Sequence, residues 1–261
     1  MISLVTGASS GIGEAIARSL ARERGAQLVL VARRADRLQT LAEELGGATV
    51  IVEDLTDAGA PARIANQVEA EYGRLDLLVN NAGAAWRATF EEGGWANVRR
   101  HMELNFDAQV RLTEALLPLL RRSAPSAIVN VASTAGRVSR AGSGAYSASK
   151  FALAGWSDAL HLEEARHGVH VGLVLPGFVA TEGFPQRELV DNRFTRRLVS
   201  TPERVADAIL QAGPGGKAER YVPRPYWLAA AARTLLPRVV RRATGGSKVL
   251  LVTRTKADEL P

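Results

Sequence analysis

The opening of the chain constrains its fold more than any other stretch. A short apolar segment, Ile2 to Val5, runs into a glycine-rich turn and then into Glu14 to Arg24, which has helical periodicity. A second apolar segment, Gln27 to Ala32, follows. Strand, helix and strand in this order form a βαβ unit, in which the two strands lie parallel. The sequence therefore predicts a parallel sheet.

The same alternation continues along the chain. The sequence contains no internal repeat and no low-complexity linker. The predicted fold class is α/β, a single-domain doubly wound parallel sheet of Rossmann type with helices on both faces, spanning residues 1–222. The further strands are expected at Ala48 to Val52, Leu75 to Val79, Ala127 to Val131, Val169 to Leu175 and Arg220 to Val222.

Helical periodicity predicts the connections between these strands. One long helix, Trp95 to Leu120, should be interrupted only near Pro118. Trp86 to Gly94 is expected to be a loop, and the polar segment Glu182 to Ser200 a mobile lid over the substrate. The other helices are expected at Leu38 to Leu45, from a cap at Asp57 to Glu71, from Tyr146 to His167, and from Thr201 and Pro202 to Ala212.

The net charge of +6 belongs to the C-terminal extension, residues 223–261, and to the few residues before it. Residues 213–261 carry ten Lys and Arg and three Asp and Glu, whereas residues 1–212 carry 23 and 24. A neutral main body argues against a nucleic-acid partner. The extension should be helical in part, kinked at Pro237, and packed on the same domain. Its basic amphipathic pattern could cover a substrate cleft, pack in an oligomer or make peripheral contact with an anionic membrane.

The turn after the first strand predicts a dinucleotide site. Gly7, Gly11 and Gly13 lie between a predicted strand and a predicted helix. Glycines there let the backbone approach a pyrophosphate, whose charge the helix N-terminus favours. The second strand ends in Arg33 and Arg34, with no acid at its tip. An acid there would bind a free ribose hydroxyl, whereas arginine accommodates a 2′-phosphate, so NADP(H) is favoured over NAD(H).

The stretch from Ser133 to Lys150 predicts acid/base chemistry. Tyr146 and Lys150 are four residues apart at the start of a predicted helix, so their side chains share one face. A cation beside a phenol favours the phenolate and lowers its pKa from about 10. Ser133 could hydrogen-bond the same substrate oxygen. Such pairs also occur by chance, but this chain has 29 Arg and only 4 Lys, and Lys150 is the sole lysine before Lys217.

Polar or small residues follow the ends of several predicted strands, among them Asp54, Asn81, Ser133 and Pro176. Because the carboxyl ends of parallel strands meet at one edge of a sheet, these residues should converge on one crevice. Asp54 is suitably placed to meet an adenine edge. Asn105 lies inside a predicted helix between apolar neighbours, and both a solvent-facing and an inward position stay open.

In this order and spacing, the motifs resemble those of the classical short-chain dehydrogenase/reductase family over residues 2–222. The resemblance implies that Tyr146 is the general acid/base, that Lys150 lowers the pKa of Tyr146 and binds the nicotinamide ribose, and that Ser133 polarises the substrate carbonyl. It also implies that Asn105 supports a water-linked proton relay through Lys150. The motifs are Thr6-Gly7-x-x-x-Gly11-x-Gly13, Asn80-Asn81-Ala82-Gly83, Asn105, Ser133, Tyr146-x-x-x-Lys150 and Pro176-Gly177-x-x-x-Thr181.

The resemblance further implies the cofactor contacts. Some NADP(H)-dependent members carry a basic residue in the glycine turn where this chain has Ser10, so the preference for NADP(H) here rests on Arg33. Members commonly form homodimers or homotetramers through the helices around Asn105 and Tyr146. The implied contacts are Gly7, Ser9, Ser10, Gly11, Ile12 and Gly13 at the pyrophosphate, Arg33 at the 2′-phosphate, Asp54 and Leu55 at the adenine, Asn81 at the adenosine side, and Val179 and Thr181 at the nicotinamide amide.

We therefore expect an NADP(H)-dependent oxidoreductase that interconverts a ketone or aldehyde with an alcohol. The carbonyl compound could be lipid-like or acyl. An epimerase or dehydratase on the same scaffold, or a nucleotide-sensing regulator without catalysis, are the alternatives. The chain has no cysteine, no apolar run of 18 residues and no leader-like start, so a cytoplasmic location is expected. Its four histidines form no ligand-spaced cluster, and no catalytic metal is expected.

Overall fold

The computed structural model describes residues 1–182 and 198–245, and its centre is a seven-stranded sheet in which every neighbouring pair is parallel. The spatial order is β3-β2-β1-β4-β5-β6-β9. A separate two-stranded parallel sheet pairs β7 with β8. The strands are β1 Ile2–Thr6, β2 Gln27–Ala32, β3 Thr49–Val52, β4 Leu77–Asn80, β5 Ser126–Val131, β6 Val169–Pro176, β7 Phe178–Val179, β8 Val199–Ser200 and β9 Glu219–Val222.

Helices connect these strands, together with one π turn, Glu103–Asp107, and two 3-10 turns, Thr134–Gly136 and Ala165–His167. None of the helices in the described part of the chain is long and apolar enough to cross a membrane. The helices are α1 Gly11–Leu20, α2 Ala35–Glu44, α3 Ala60–Tyr72, α4 Phe90–Met102, α5 Ala108–Arg122, α6 Gly144–Glu164, α7 Pro202–Ala212, α8 Tyr226–Leu235 and α9 Pro237–Gly245.

The helices cover both faces of the large sheet, as the doubly wound prediction requires. Successive side chains of a strand point to opposite faces. Val5 of β1 therefore joins a buried cluster with α1, α2 and α7, whereas its neighbour Leu4 joins a second cluster with α3, α5 and α6. Two buried layers on opposite sides of one sheet confirm the Rossmann-type fold, and all seven strands predicted for that sheet are present.

Two helix predictions were wrong in their details. Asp57 does not cap α3, because the helix begins at Ala60 with Gly59 as its N-cap. The carboxylate of Asp57 instead accepts the amide of Gly59 at 2.9 Å, which forms a tight turn before the helix. The predicted loop up to Gly94 is also shorter, because the side chain of Thr89 caps α4 and starts it at Phe90.

The long helix expected from Trp95 to Leu120 is broken at a different place. Pro118 lies inside α5 without ending it, and the interruption is the π turn that contains Asn105. The side chain of Asn105 hydrogen-bonds the backbone of Ala84, so the wider turn serves to direct this amide towards the carboxyl edge of the sheet.

The remaining predictions concern the segments that follow β6. The expected lid includes Arg187, Arg193, Arg196 and Arg197, which lie outside the described residues, and its last two residues form β8. In residues 223–245, the part of the extension that the structure describes, there are two helices, α8 and α9, which are separated at Leu236, next to the expected kink. The ring of Tyr226, at the start of α8, packs so closely on Gly177 that a Cβ there would overlap it. The division at residue 222 stays a prediction.

Candidate active site

A cleft of about 710 Å³ lies along the carboxyl edge of the sheet. Fifteen of the sixteen residues predicted for the site line this cleft, and Asn105 lies behind its wall. Their individual roles stay predictions. The lining residues from that set are Gly7, Ser9, Ser10, Gly11, Ile12, Gly13, Arg33, Asp54, Leu55, Asn81, Ser133, Tyr146, Lys150, Val179 and Thr181.

The glycine turn forms one end of the cleft, between β1 and the start of α1. Gly7 and Gly11 have φ angles of +66° and +58°, a conformation that favours glycine. Gly13 is required for a different reason, because a Cβ there would overlap the carbonyl oxygen of Gly7. The turn therefore presents bare backbone at a helix N-terminus, which is the arrangement that binds a pyrophosphate.

Arg34 lies against this turn and was missing from the predicted site. Its Nη2 donates to the hydroxyl of Ser10 at 2.6 Å and to the hydroxyl of Ser9 at 3.0 Å. The sequence places Arg34 beside Arg33 at the end of β2, but nothing local shows which of the two reaches the glycine turn. The glycine turn contains no basic residue, and the fold therefore brings the positive charge of Arg34 to it.

Arg33 and Asp54 face each other across the same end of the cleft, with 3.6 Å between Nη1 and Oδ2. Burial opposes ionisation of Asp54, but hydrogen bonds from the amide and hydroxyl of Thr56, together with the charge of Arg33, hold its pKa below the usual range. Leu55, the next residue, is buried. An ionised carboxylate can accept a hydrogen bond from the amino group of a flat ring, and the apolar wall beside it can pack against the face of that ring.

The floor between the glycine turn and the centre of the cleft is formed by Asn81. Its side-chain amide donates to the carbonyl oxygen of Thr6 at 2.9 Å, and its backbone amide donates to the Thr6 hydroxyl at 2.9 Å. These bonds tie the end of β4 to the end of β1. Asn81 is thus held in place by the protein before any ligand is bound.

Tyr146 and Ser133 form the centre of the cleft. Burial raises the pKa of the Tyr146 phenol, and this effect is partly offset by a hydrogen bond from Ser133 and by the charges of Arg87 and Arg140. The Ser133 hydroxyl also accepts the amide of Ala135 at 3.1 Å, which fixes its position at the end of β5. Both side chains line this part of the cleft, and their joint contact with one substrate oxygen stays a prediction.

Lys150 lies one helical turn from Tyr146 and is 3% exposed. Its ammonium donates to the carbonyl oxygen of Val131 at 2.8 Å, and burial lowers its pKa to about 7. The charges of Arg87 and Arg140 partly offset the effect of burial on the pKa of Tyr146, and an effect of Lys150 on that pKa stays a prediction. These two arginines were not predicted, because each is a single charged residue in a loop.

Asn105 is fully buried behind Gly83 and adjoins Lys150. Its side chain both accepts from the amide and donates to the carbonyl of Ala84, each at 2.9 Å, and its Nδ2 also donates to the Ser149 hydroxyl at 3.1 Å. A Cβ added to Gly83 would lie 2.8 Å from Oδ1 of Asn105 and 3.5 Å from Nζ of Lys150. The sequence left its position open, and the structure places Asn105 on the inward side.

His101 is a buried residue near Tyr146, with 6.1 Å between the ring centroids. Its Nδ1 lies 2.8 Å from the carbonyl oxygen of Asn97, and its Nε2 accepts the amide of Trp86 at 3.0 Å. Burial lowers the pKa of His101, so the ring is neutral with both nitrogens occupied. His101 supports the wall of the cleft. In residues 1–182 and 198–245 no group of three metal-binding side chains comes together.

Three comparisons relate this geometry to known proteins. A family model described as short chain dehydrogenase matches residues 1–189. The chain is 35% identical to ketoacyl reductase HetN from Nostoc sp., over 80% of this chain and 74% of that protein. It is also 35% identical to 3-ketodihydrosphingosine reductase from Bacteroides thetaiotaomicron, over 81% and 74% respectively. The structure of a short-chain dehydrogenase from Streptomyces avermitilis is similar, with a TM-score of 0.76, 32% identity, and coverage of 94% of this chain and 98% of that one.

Proposed function

This chain belongs to the short-chain dehydrogenase/reductase family of carbonyl/alcohol oxidoreductases that use a nicotinamide cofactor, and we propose that it uses NADP(H). The substrate we propose is a ketone or aldehyde in one direction and the alcohol in the other. The observation that carries the proposal is the joint placement of Ser133, Tyr146 and Lys150 in the cleft that begins at the glycine turn.

The residues around the cleft fit a dinucleotide. Gly13 admits no side chain, so the backbone of the turn can approach a pyrophosphate closely. We propose that Asp54 and Leu55 hold the adenine, Asn81 the adenosine side, Lys150 the nicotinamide ribose, and Val179 and Thr181 the nicotinamide amide. A nicotinamide ring held by these residues would supply hydride chemistry at the carbonyl carbon of the substrate.

Tyr146 supplies the proton in this proposal. Burial raises the pKa of the phenol, which keeps it protonated until the carbonyl oxygen gains charge. The phenolate that remains is stabilised by the Ser133 hydroxyl and by the two nearby arginines. Ser133 polarises the carbonyl from the same side. Lys150 and Asn105 then return a proton to the phenolate through a water-linked relay.

The preference for NADP(H) rests on Arg33 and Arg34. Arg33 is exposed and can turn towards a 2′-phosphate. Arg34 is held by Ser9 and Ser10 beside the glycine turn, so it provides the second positive charge that Ser10 itself does not carry. Two guanidinium groups and no carboxylate at the tip of β2 favour a phosphorylated ribose over a free hydroxyl.

We propose a lipid-like or acyl carbonyl compound as the substrate. Two relatives are named a ketoacyl reductase and a 3-ketodihydrosphingosine reductase, and both names describe keto compounds. The exposed apolar side chains of α8 and α9 are consistent with such a compound or with a membrane that carries it.

We further propose a homodimer or homotetramer that uses α4 to α6, where Trp95 and Phe151 are exposed. A cytoplasmic location stays a prediction.

The test follows NADPH absorbance with a panel of ketones, aldehydes and acyl thioesters, repeated with NADH. Tyr146→Phe should lower kcat by roughly 10² to 10⁴ while NADPH still binds, since only the proton donor is lost. Activity retained by Tyr146→Phe would refute the assignment. A product formed without net cofactor oxidation would identify an epimerase or dehydratase, and cofactor binding without turnover of any compound would favour a regulator.

A further inference from the structure

Arg87 and Arg140 approach the centre of the cleft from two different loops. Arg87 lies between β4 and α4, and Arg140 lies just before α6. Both line the cleft together with Ser133 and Tyr146, and both are partly buried. The guanidinium carbon of Arg140 lies 4.8 Å from the centre of the Phe178 ring, which supports it from one side. The two side chains are therefore part of the cleft wall and not of the outer surface.

The two guanidinium groups are close enough to affect each other. Burial lowers the pKa of both side chains, and the charge of Arg87 lowers that of Arg140 further. Within the described residues, the other titratable groups that influence Arg140 are Tyr146 and Tyr226, which are neutral phenols at pH 7. The two guanidinium groups therefore give this part of the cleft wall a positive charge.

Arg87 and Arg140 lie in a different part of the cleft from Arg33 and Arg34, the two arginines proposed to bind the cofactor. Arg33 contacts Asp54, and Arg34 contacts the glycine turn, so both lie at the adenosine end of the cleft. Arg87 and Arg140 instead act on the phenol of Tyr146, where the substrate is expected to react. An anion bound between them would belong to the substrate and not to the dinucleotide.

We propose that Arg87 and Arg140 bind an anionic group of the substrate, a carboxylate or a phosphate, next to the carbonyl that Ser133 and Tyr146 contact. This inference rests on the proposed function. Guanidinium groups match oxyanions with paired hydrogen bonds, so two of them would both attract and orient such a substrate. The pair would select acidic keto compounds over their neutral analogues.

The experiment compares matched charged and neutral substrates at a fixed NADPH concentration. Benzoylformate is paired with its methyl ester, acetoacetate with its methyl ester, and dihydroxyacetone phosphate with dihydroxyacetone. The first two pairs test carboxylates at two distances from the carbonyl, and the third tests a phosphate. For at least one pair, kcat/KM should be about 10- to 100-fold higher for the charged member, as expected for charge-assisted hydrogen bonds.

The variants Arg87→Gln and Arg140→Gln should remove most of this charged-to-neutral ratio. The ratio of the two kcat/KM values is measured because any effect of the arginines on Tyr146 changes both values and cancels in the ratio. Arg140→Lys should retain part of it. Arg166→Gln, a change at an exposed arginine in the 3-10 turn that follows α6, should leave it unchanged. Thermal unfolding of each variant shows whether it is folded.

The possible outcomes separate the two proposals. The anion site would be overturned if the protein reduced neutral compounds and preferred none of their charged partners. It would also be overturned if both glutamine variants kept the charged-to-neutral ratio of kcat/KM. Either result would leave the reductase assignment intact. If no compound oxidises NADPH, the proposed function itself fails. In that case, binding of malonate measured by calorimetry in the presence of NADP⁺ still tests the arginine pair, and no loss of malonate affinity in Arg140→Gln would overturn it.

Discussion

Arg34 donates a hydrogen bond of 2.6 Å from its Nη2 to the hydroxyl of Ser10, although the two residues lie on different elements of the fold. Arg34 is the N-cap residue of α2, and Ser10 immediately precedes α1. The contact carries the arginine over the glycine turn. It thereby places a positive charge over a turn that contains no basic residue of its own.

The first prediction concerns this contact. Arg34→Gln should raise the KM for NADPH by about 10- to 100-fold and change the KM for NADH much less, because only NADPH carries the 2′-phosphate. Initial rates with both cofactors measure the effect. Arg166→Gln is the control for the loss of one arginine. An equal change for both cofactors would show that Arg34 supports the turn without recognising phosphate.

The second prediction compares two glycines inside helices. Gly13→Ala should abolish tight cofactor binding, because the new Cβ would overlap the carbonyl oxygen of Gly7. Gly155→Ala in α6 meets nothing within 4 Å and should stabilise the protein by up to about 1 kcal/mol, since alanine favours a helix. Cofactor fluorescence and urea unfolding test both variants. Normal NADPH affinity in Gly13→Ala would contradict the close approach of backbone and pyrophosphate.

The alternation of strands and helices could be predicted from the sequence because its determinants are local. Gln27–Ala32 is a continuous apolar run between a helix and a charged tip, and it forms β2 with the expected bounds. The register of parallel strands then brings the ends of β1, β4 and β5 to one edge. For this reason the cleft could be outlined from residues that follow strands, such as Asn81 and Ser133.

Other features depend on contacts between distant residues and could not be predicted. The π turn at Asn105 forms where the amide meets the backbone of Ala84, 21 residues earlier in the chain. Arg87 and Arg140 are isolated charges in their own segments and acquire a shared location only when two loops meet. The contact of Arg34 with Ser9 spans 25 residues. Periodicity carries no information about such pairs.

The third prediction is a pH dependence of stability from Lys150. Burial lowers its pKa to about 7, whereas an unfolded lysine titrates near a pKa of about 10.4. Between these values the unfolded chain binds more protons, so the free energy of unfolding should rise with pH by up to about 1.4 kcal/mol per unit. Urea unfolding at several pH values without cofactor should show this rise.

Lys150→Met is the matched variant for that measurement, because it keeps much of the side-chain volume and cannot titrate. The difference in the free energy of unfolding between the two proteins isolates the contribution of Lys150 from that of all other groups. The difference should change between pH 7 and pH 10 and be constant below pH 6. Parallel pH profiles over the whole range would show that the ammonium is not buried in solution.

The fourth prediction concerns the surface formed by α8 and α9. Leu235, Leu236 and Val239 are 77%, 57% and 62% exposed, and Arg238 and Arg242 are exposed beside them. Apolar side chains flanked by arginine match the interface of an anionic bilayer, where each basic residue contributes about 1 kcal/mol. The 261-residue chain should therefore co-sediment with vesicles that contain phosphatidylserine and much less with pure phosphatidylcholine.

Substitutions are preferable to deletion from residue 226 in this test, because Tyr226 packs on Gly177 and its removal would open the cleft. Leu235→Gln combined with Leu236→Gln should abolish sedimentation at an unchanged thermal stability, since both side chains are exposed. Leu162→Gln on α6 is the control, because Leu162 is also 77% exposed but lies outside the extension. Sedimentation that persists in the double variant, or that is absent from the unmodified protein, would contradict membrane binding by this surface.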